Sequence, residues 1–183
     1  INGTKNKPVF LTATGKKWKG VHVIGDKKKS IINYADFFRT SFFSQKNYYL
    51  TGGINFYNTD LEIFNSNFLS SDAEDAVNII NSKFFIDGCN FIDARSDAID
   101  LDFSNGTISN SKFNNISGDA VDTSGSTVQI ENLVIENVGD KAISAGEKSL
   151  ITADNIKIKN SKIGIASKDT SKFIGKKIRI EKS

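Results

Sequence analysis

Carboxylates recur in this chain at a spacing that would stack them. Asp75, Asp97 and Asp119 open three successive copies of one phrase, Asp75-Ala-Val-Asn78, Asp97-Ala-Ile-Asp100 and Asp119-Ala-Val-Asp122, offset by 22 residues each time (97 − 75 and 119 − 97). The phrase continues without its leading acid as Lys141-Ala-Ile-Ser144 and Ile163-Gly-Ile-Ala166, again 22 residues on (141 − 119 and 163 − 141). As extended strands, these copies turn Ile99 and Leu101 to one side and Asp100 and Asp102 to the other, because side chains alternate across a strand. Stacking at the interstrand distance of about 4.8 Å then sets Asn78 and Asp122 on either side of Asp100, and Ser124 beside Asp102. Two bare carboxylates at that distance repel by roughly 1 kcal/mol in water and nearer 3 at an effective dielectric of about 20. Such a row calls for a shared proton, a lysine or a metal ion. Lys141 continues the column of Asp97 and Asp119. The mixed oxygens of Asp100, Asp102, Asp122 and Asn78 suit calcium, which takes about 6–8 oxygen ligands. Glu147, Lys168 and Asp169 fall in the same region of later copies, since 169 − 147 is also 22.

The elements that must position these side chains are legible from the columns. Val77, Ile99, Val121, Ile143 and Ile165 form an unbroken aliphatic column beside Ala76, Ala98, Ala120, Ala142 and Gly164, which are all small. A fixed period with its own chemistry in each column means a solenoid. The leucine-rich pattern is missing, and no copy contains a run of good helix formers. Short alternating runs between Asn, Gly, Ser and Asp corners, such as Thr127 to Ile130, read as strands. The expected fold is therefore all-β, a single-domain right-handed parallel β-helix of about eight coils of roughly 22 residues, with no helices. Phe68, Phe91, Phe113, Ile135, Ile158 and Ile180 align as one inward row, and Ile63, Ile86, Ile108 and Ile130 as another. Cys89 aligns with Ser66 and Ser111 and reads as a small core residue.

Along the chain, 1–53 reads as irregular first coils, 54–171 as regular coils and 172–183 as an incomplete last coil. The absence of a capping element after Ser183 implies that the domain belongs to a longer chain or that a partner covers its end. The first part is rich in aromatic residues, from Tyr34 to Tyr57. Its Phe residues are expected in the core, whereas Tyr49 and Tyr57 are candidates for stacking on sugar. His22, the only histidine, is expected to face outward with no catalytic role. The net charge is +3, with Lys16, Lys17, Lys19 and the run Lys27, Lys28 and Lys29 in the first coil. Gly25-Asp26 marks that run as a corner turn. The acidic strip opposes a nucleic-acid partner, one cysteine excludes an internal disulfide, and no apolar run approaches the roughly 20 residues of a membrane span.

The repeat, over nearly the whole chain, resembles the right-handed parallel β-helix superfamily of pectate lyases, polygalacturonases and alginate-modifying enzymes, which also includes bacterial surface proteins. Asp97-Ala-Ile-Asp100 resembles the N-T-D-G-x-D turn of polygalacturonases, Gly118-Asp119-Ala-Val121 their following D-D-C-x, and Lys141-Ala-Ile-Ser-Ala-Gly146 their G-H-G-x-S-x-G. Gly118 stands where that family has an acid, and Lys141 where it has histidine. The resemblance implies a secreted or cell-surface domain that binds or degrades a polysaccharide, expected to be acidic, along the strip. A hydrolase would use Asp97 and Asp119. A lyase would use Lys141 or Lys168 as base, with calcium held by Asp100, Asp102, Asp122 and Asn78, and with Tyr49, Tyr57, Glu147 and Asp169 on the substrate. The competing expectation is a non-catalytic structural or adhesive segment of a larger surface protein, in which the acids serve only as turn chemistry.

Overall fold

The computed structural model describes residues 1–25 and 28–183; the expected turn at Asp26 and the position of Lys27 lie outside the described residues. Those residues form a parallel β-solenoid with no helix. A short strand, β1 (Val9–Leu11), precedes the first full coil of β2 (Val21–Ile24), β3 (Ser30–Asn33) and β4 (Ala35–Phe38). A hairpin of β5 (Phe43–Gln45) and β6 (Tyr48–Leu50) interrupts the winding. The second coil is β7 (Gly52–Tyr57), β8 (Leu61–Phe64) and β9 (Asn67–Leu69), the third β10 (Asp75–Ile80), β11 (Lys83–Asp87) and β12 (Asn90–Ala94). The fourth is β13 (Asp97–Asp102), β14 (Asn105–Ser109) and β15 (Lys112–Ile116). Thereafter the strand ladder runs through the corners, in β16 (Val121–Ser124), β17 (Thr127–Gly146), β18 (Leu150–Ser167) and β19 (Lys172–Glu181).

Each coil has three faces because three corner positions turn the chain, and all three are held at positive φ. One corner is Asn58, Asn81, Phe103 and Gly125; the next is Asn65, Gly88, Asn110, Asn132 and Asn155; the third is Ser70, Asp93, Asn115, Asn137 and Asn160. Asparagine and glycine tolerate this left-handed backbone best. Asparagine also adds a ladder of its own: Asn155 donates to Asn132 at 2.8 Å and Asn132 to Asn110 at 3.1 Å. A serine ladder stitches the coils from inside. The backbone N–H groups of Ser82, Ser104, Ser126 and Ser149 donate to the hydroxyls of Ser104, Ser126, Ser149 and Ser171 at 2.9–3.2 Å. Each link satisfies a buried corner amide that a strand ladder alone would leave open.

The core holds the aligned rows as far as Ile158; Ile180, expected inward, keeps register with Ile158 but is 45 % exposed because it lies in the last coil. Phe37, Phe68, Phe91 and Phe113 stack with ring centroids 5.2, 4.8 and 4.9 Å apart and planes within 8° of parallel. Ile63, Ile86, Ile108 and Ile130 are fully buried in register. Each such side chain contributes roughly 1.5–3 kcal/mol on burial. Cys89 replaces serine in a second hydroxyl ladder, taking a backbone bond from its own N–H to Ser111 Oγ at 3.1 Å, and burial pushes its thiol up to about 12. The aromatic-rich stretch is not a wider coil: Phe37 and Phe56 enter the core, while Phe42, Phe43, Tyr48 and Tyr49 belong to the hairpin. Alternation alone could not reveal that detour, since β5 and β6 pair with each other and not with the solenoid.

Candidate functional site

The 22-residue phrase forms the first strand of every coil, so its outward residues stack. Asn55, Asn78, Asp100, Asp122 and Ser144 make one column, and Tyr57, Ile80, Asp102, Ser124 and Gly146 the next. His22 heads the first column opposite Asn55, and its Nδ1 accepts from Asn55 Nδ2 at 2.8 Å. His22, expected to face outward, does so at the head of this column, where the irregular first coil gave no register from which to place it.

The face is polar and closed to solvent toward its first coils, while Asp100, Asp102 and Asp122 are half-buried. Asp75 and Asn78 are each 3 % exposed, and Asn55 is fully buried. Thr51, at the hairpin exit, receives Asn78 Nδ2 on its hydroxyl at 3.0 Å; the same amide donates to Asp75 Oδ2 at 2.9 Å and to Asp100 Oδ2 at 3.0 Å. Asn55 closes the hairpin exit, accepting from Gly52 N and the Tyr57 hydroxyl at 3.1 Å each. Two oxygens here, Asn78 Oδ1 and Ser144 Oγ, are buried without a partner and bracket Asp100 and Asp122 along the column.

Burial among like charges makes these acids hold their protons. Desolvation, with the carboxyls of Asp75, Asp102, Asp122 and Asp97 around it, pushes Asp100 up to about 9. Burial raises Asp97 to about 7 and Asp75 to about 6, against hydrogen bonds that favour the ionised forms. Asp102 is raised by burial and by the charges of Asp122 and Glu147. Asp100 therefore keeps its proton at neutral pH.

Asp97 and Asp119 hold one coil to the next. Asp97 Oδ1 accepts the Asp119 backbone N–H at 2.7 Å, and Asp119 Oδ1 accepts that of Lys141 at 2.8 Å. This explains the glycine at 118: a Cβ there would sit 2.0 Å from Asp97 Oδ1, so no acid fits that position while Asp97 makes its bond. Lys141 Nζ lies 3.0 Å from both Asp119 carboxylate oxygens and 2.6 Å from Asp140 Oδ2. Partial burial acts to lower the lysine, but the bonds to Asp140 and Asp119 outweigh it and hold Lys141 above its ordinary value.

The remaining sequence candidates are dispersed. Lys168 is exposed, and its chain passes over Gly146, where a Cβ would meet Lys168 Cε at 3.2 Å. Glu147 and Asp169 are exposed corner residues at positive φ, with only Glu147 bearing electrostatically on Asp102. Tyr57 is half-buried beside Asn55, and Tyr49 is on the hairpin beyond the strand's leading end. Among the described residues, no three His, Cys, Asp or Glu side chains are grouped as a metal ion would require. Asn78 turns its NH2, not its oxygen, toward Asp75 and Asp100.

The family described as a right handed beta helix region matches residues 52–183, from the first strand of the second coil onward. Neither the curated proteins nor the solved structures compared with this chain gave a match. A parallel β-solenoid of this kind is the frame of a polysaccharide-related or structural domain.

Proposed function

This chain belongs to the right-handed β-helix family, and on that footing we propose that it binds and cleaves a polysaccharide along the face of Asp100, Asp102 and Asp122, acting outside the cell or at its surface. The observation that carries the reading is the stacking of Asp100 beside Asp122, with Asp102 on the same strand face, where desolvation and the surrounding carboxyls push Asp100 up to about 9. Glycoside hydrolysis needs one carboxylic acid to protonate the departing oxygen and one carboxylate to act on water or on the sugar. Asp100 is the proton donor in this reading. Asp102 stands two residues along the same strand face, about 6.6 Å by strand rise, and half-buried. Asp97 and Asp119 support the strand ends and need not touch substrate.

Lyase chemistry is the second reading, and Lys141 weighs against it. A base must be deprotonated, and this lysine is held as a cation by two carboxylates. Lys168, exposed, is the lysine left for that role. No step here passes through calcium. The test is a polysaccharide panel of neutral and uronic-acid polymers, assayed for new reducing ends and for the ultraviolet absorbance of unsaturated sugar, with calcium and with chelator. New reducing ends without absorbance, abolished in Asp100→Asn, support hydrolysis. Calcium-dependent absorbance lost in Lys168→Ala would replace it with the lyase. Absence of cleavage and of retention on every polymer would leave a structural solenoid.

A further inference from the structure

The hairpin that interrupts the solenoid creates a cavity which the strand face does not account for. It has a volume of about 540 Å³ and is lined by Phe42, Tyr49, Ala73, Glu74, Arg95 and Ser96. That volume lies in the range of small-ligand sites, about 300–1,000 Å³. Its floor comes from the corners that lead into the acidic strands, because Glu74 directly precedes Asp75 and Ser96 directly precedes Asp97. Its aromatic wall comes from the hairpin. The Phe42 and Tyr49 rings sit 5.6 Å apart and tilted by 45°, and Lys19 Nζ lies 5.1 Å from the Phe42 ring centre. Tyr49 is 54 % exposed, so its ring faces solvent.

We infer that this cavity is a subsite for one neutral hexopyranose unit of the glycan that runs on to Asp100. The inference rests on the polysaccharide reading above and adds the class of sugar and the place it docks. A pyranose ring has an apolar C–H face and a rim of hydroxyls. The exposed Tyr49 ring serves the face, and planar polar groups serve the rim: the Arg95 guanidinium offers several donors in a fixed fork, and the Glu74 carboxylate offers two acceptors. The two charged lining residues, Arg95 and Glu74, are of opposite sign, and Lys19 stands over the Phe42 ring. Arg95 is also partly claimed by Asp72, at 3.6 Å. Just beyond the cavity the strip is acidic, at Asp75 and Asp97. A uronate seated here would bring its carboxylate toward those acids, and a neutral hexose avoids that repulsion. The subsite depends on the hairpin, whose strands β5 and β6 pair only with each other.

Backbone amide shifts of isotope-labelled protein, titrated with glucose, galactose and mannose and with glucuronate and galacturonate, test this directly. A neutral hexose should shift the amides of Tyr49, Glu74, Arg95 and Ser96 in a saturable manner. Tyr49→Ala and, independently, Arg95→Ala on the neighbouring coil should weaken that binding about tenfold or more, while Tyr49→Phe retains it. If the uronates bind the cavity more tightly than every neutral hexose, or no hexose moves these amides, the inference fails. Asp100→Asn separates the two readings: cleavage lost with hexose docking intact upholds both, whereas docking in a protein that cleaves no polymer removes the hydrolase and leaves the subsite.

Discussion

Asp100 turns the acid strip into a measurable dependence of stability on pH. Its folded carboxyl titrates near 9 because burial among acids penalises the charge, while in the unfolded chain an aspartate titrates near 3.9. The folded state thus binds this proton more tightly. The stabilisation is complete below the unfolded value and is lost as pH rises toward the folded one. Between pH 5 and 8 the unfolded state has released the proton and the folded state has not, so this one group lowers stability by about 1.4 kcal/mol per pH unit, or about 4 kcal/mol across the window. Asp100→Asn keeps an oxygen to accept from Asn78 Nδ2, now at 3.0 Å from Asp100 Oδ2, and removes the titration. Relative to wild type, the variant should therefore gain about 4 kcal/mol between pH 5 and pH 8, roughly 8–16 °C in Tm for a chain of this length. Urea or thermal unfolding of both proteins at pH 5, 6, 7 and 8 reads it. Wild-type and variant curves that run parallel across that window would show that Asp100 is ionised in the folded protein, and would remove the proton donor on which the hydrolytic reading stands.

Three other substitutions test how the frame is held. Phe91→Ala opens the middle of the phenylalanine stack, whose rings lie 4.8 and 4.9 Å on either side; a loss of about 3–5 kcal/mol in chemical unfolding is expected, and Phe91→Leu should cost less than half of that. Ser104→Ala strands the buried Ser82 N–H, which donates to Ser104 Oγ at 3.2 Å, so about 1–3 kcal/mol should be lost; a change within error would mean that the serine ladder is dispensable. At Asn110, with φ at 49°, Asn110→Ala should cost roughly 1–2 kcal/mol in the left-handed backbone and Asn110→Gly markedly less. Equal losses for both would place the effect in the asparagine ladder and not in the turn.

The period of 22 determined the fold class, because one coil is one unit and each column must serve one environment. The inward rows, the outward alternation of Asp100 and Asp102, and the register of Asn78 with Asp100 and Asp122 all followed from alternation and offset. A column of asparagine and glycine at the corners was equally visible, although only the backbone shows that three corners per coil share positive φ. Ser126, Ser149 and Ser171 share one corner of the repeat in the sequence, and hydrogen bonds from Ser82 and Ser104 extend that ladder. Tertiary structure alone decided three things. The detour from Phe42 to Leu50 is local antiparallel pairing in a sequence with no repeat to compare against, so its cavity could not be foreseen. The burial of the strip arises because residues far apart in the chain, Thr51 and Asn78 among them, converge on it. The pairing of Lys141 depended on distance: a lysine in a column of acids reads equally as base or as ion-pair partner, and the fold sets its Nζ against Asp119 and Asp140. Columns and faces come from a local periodicity that the chain carries in itself, whereas charge state comes from what surrounds a group, which is a property of the assembled coils.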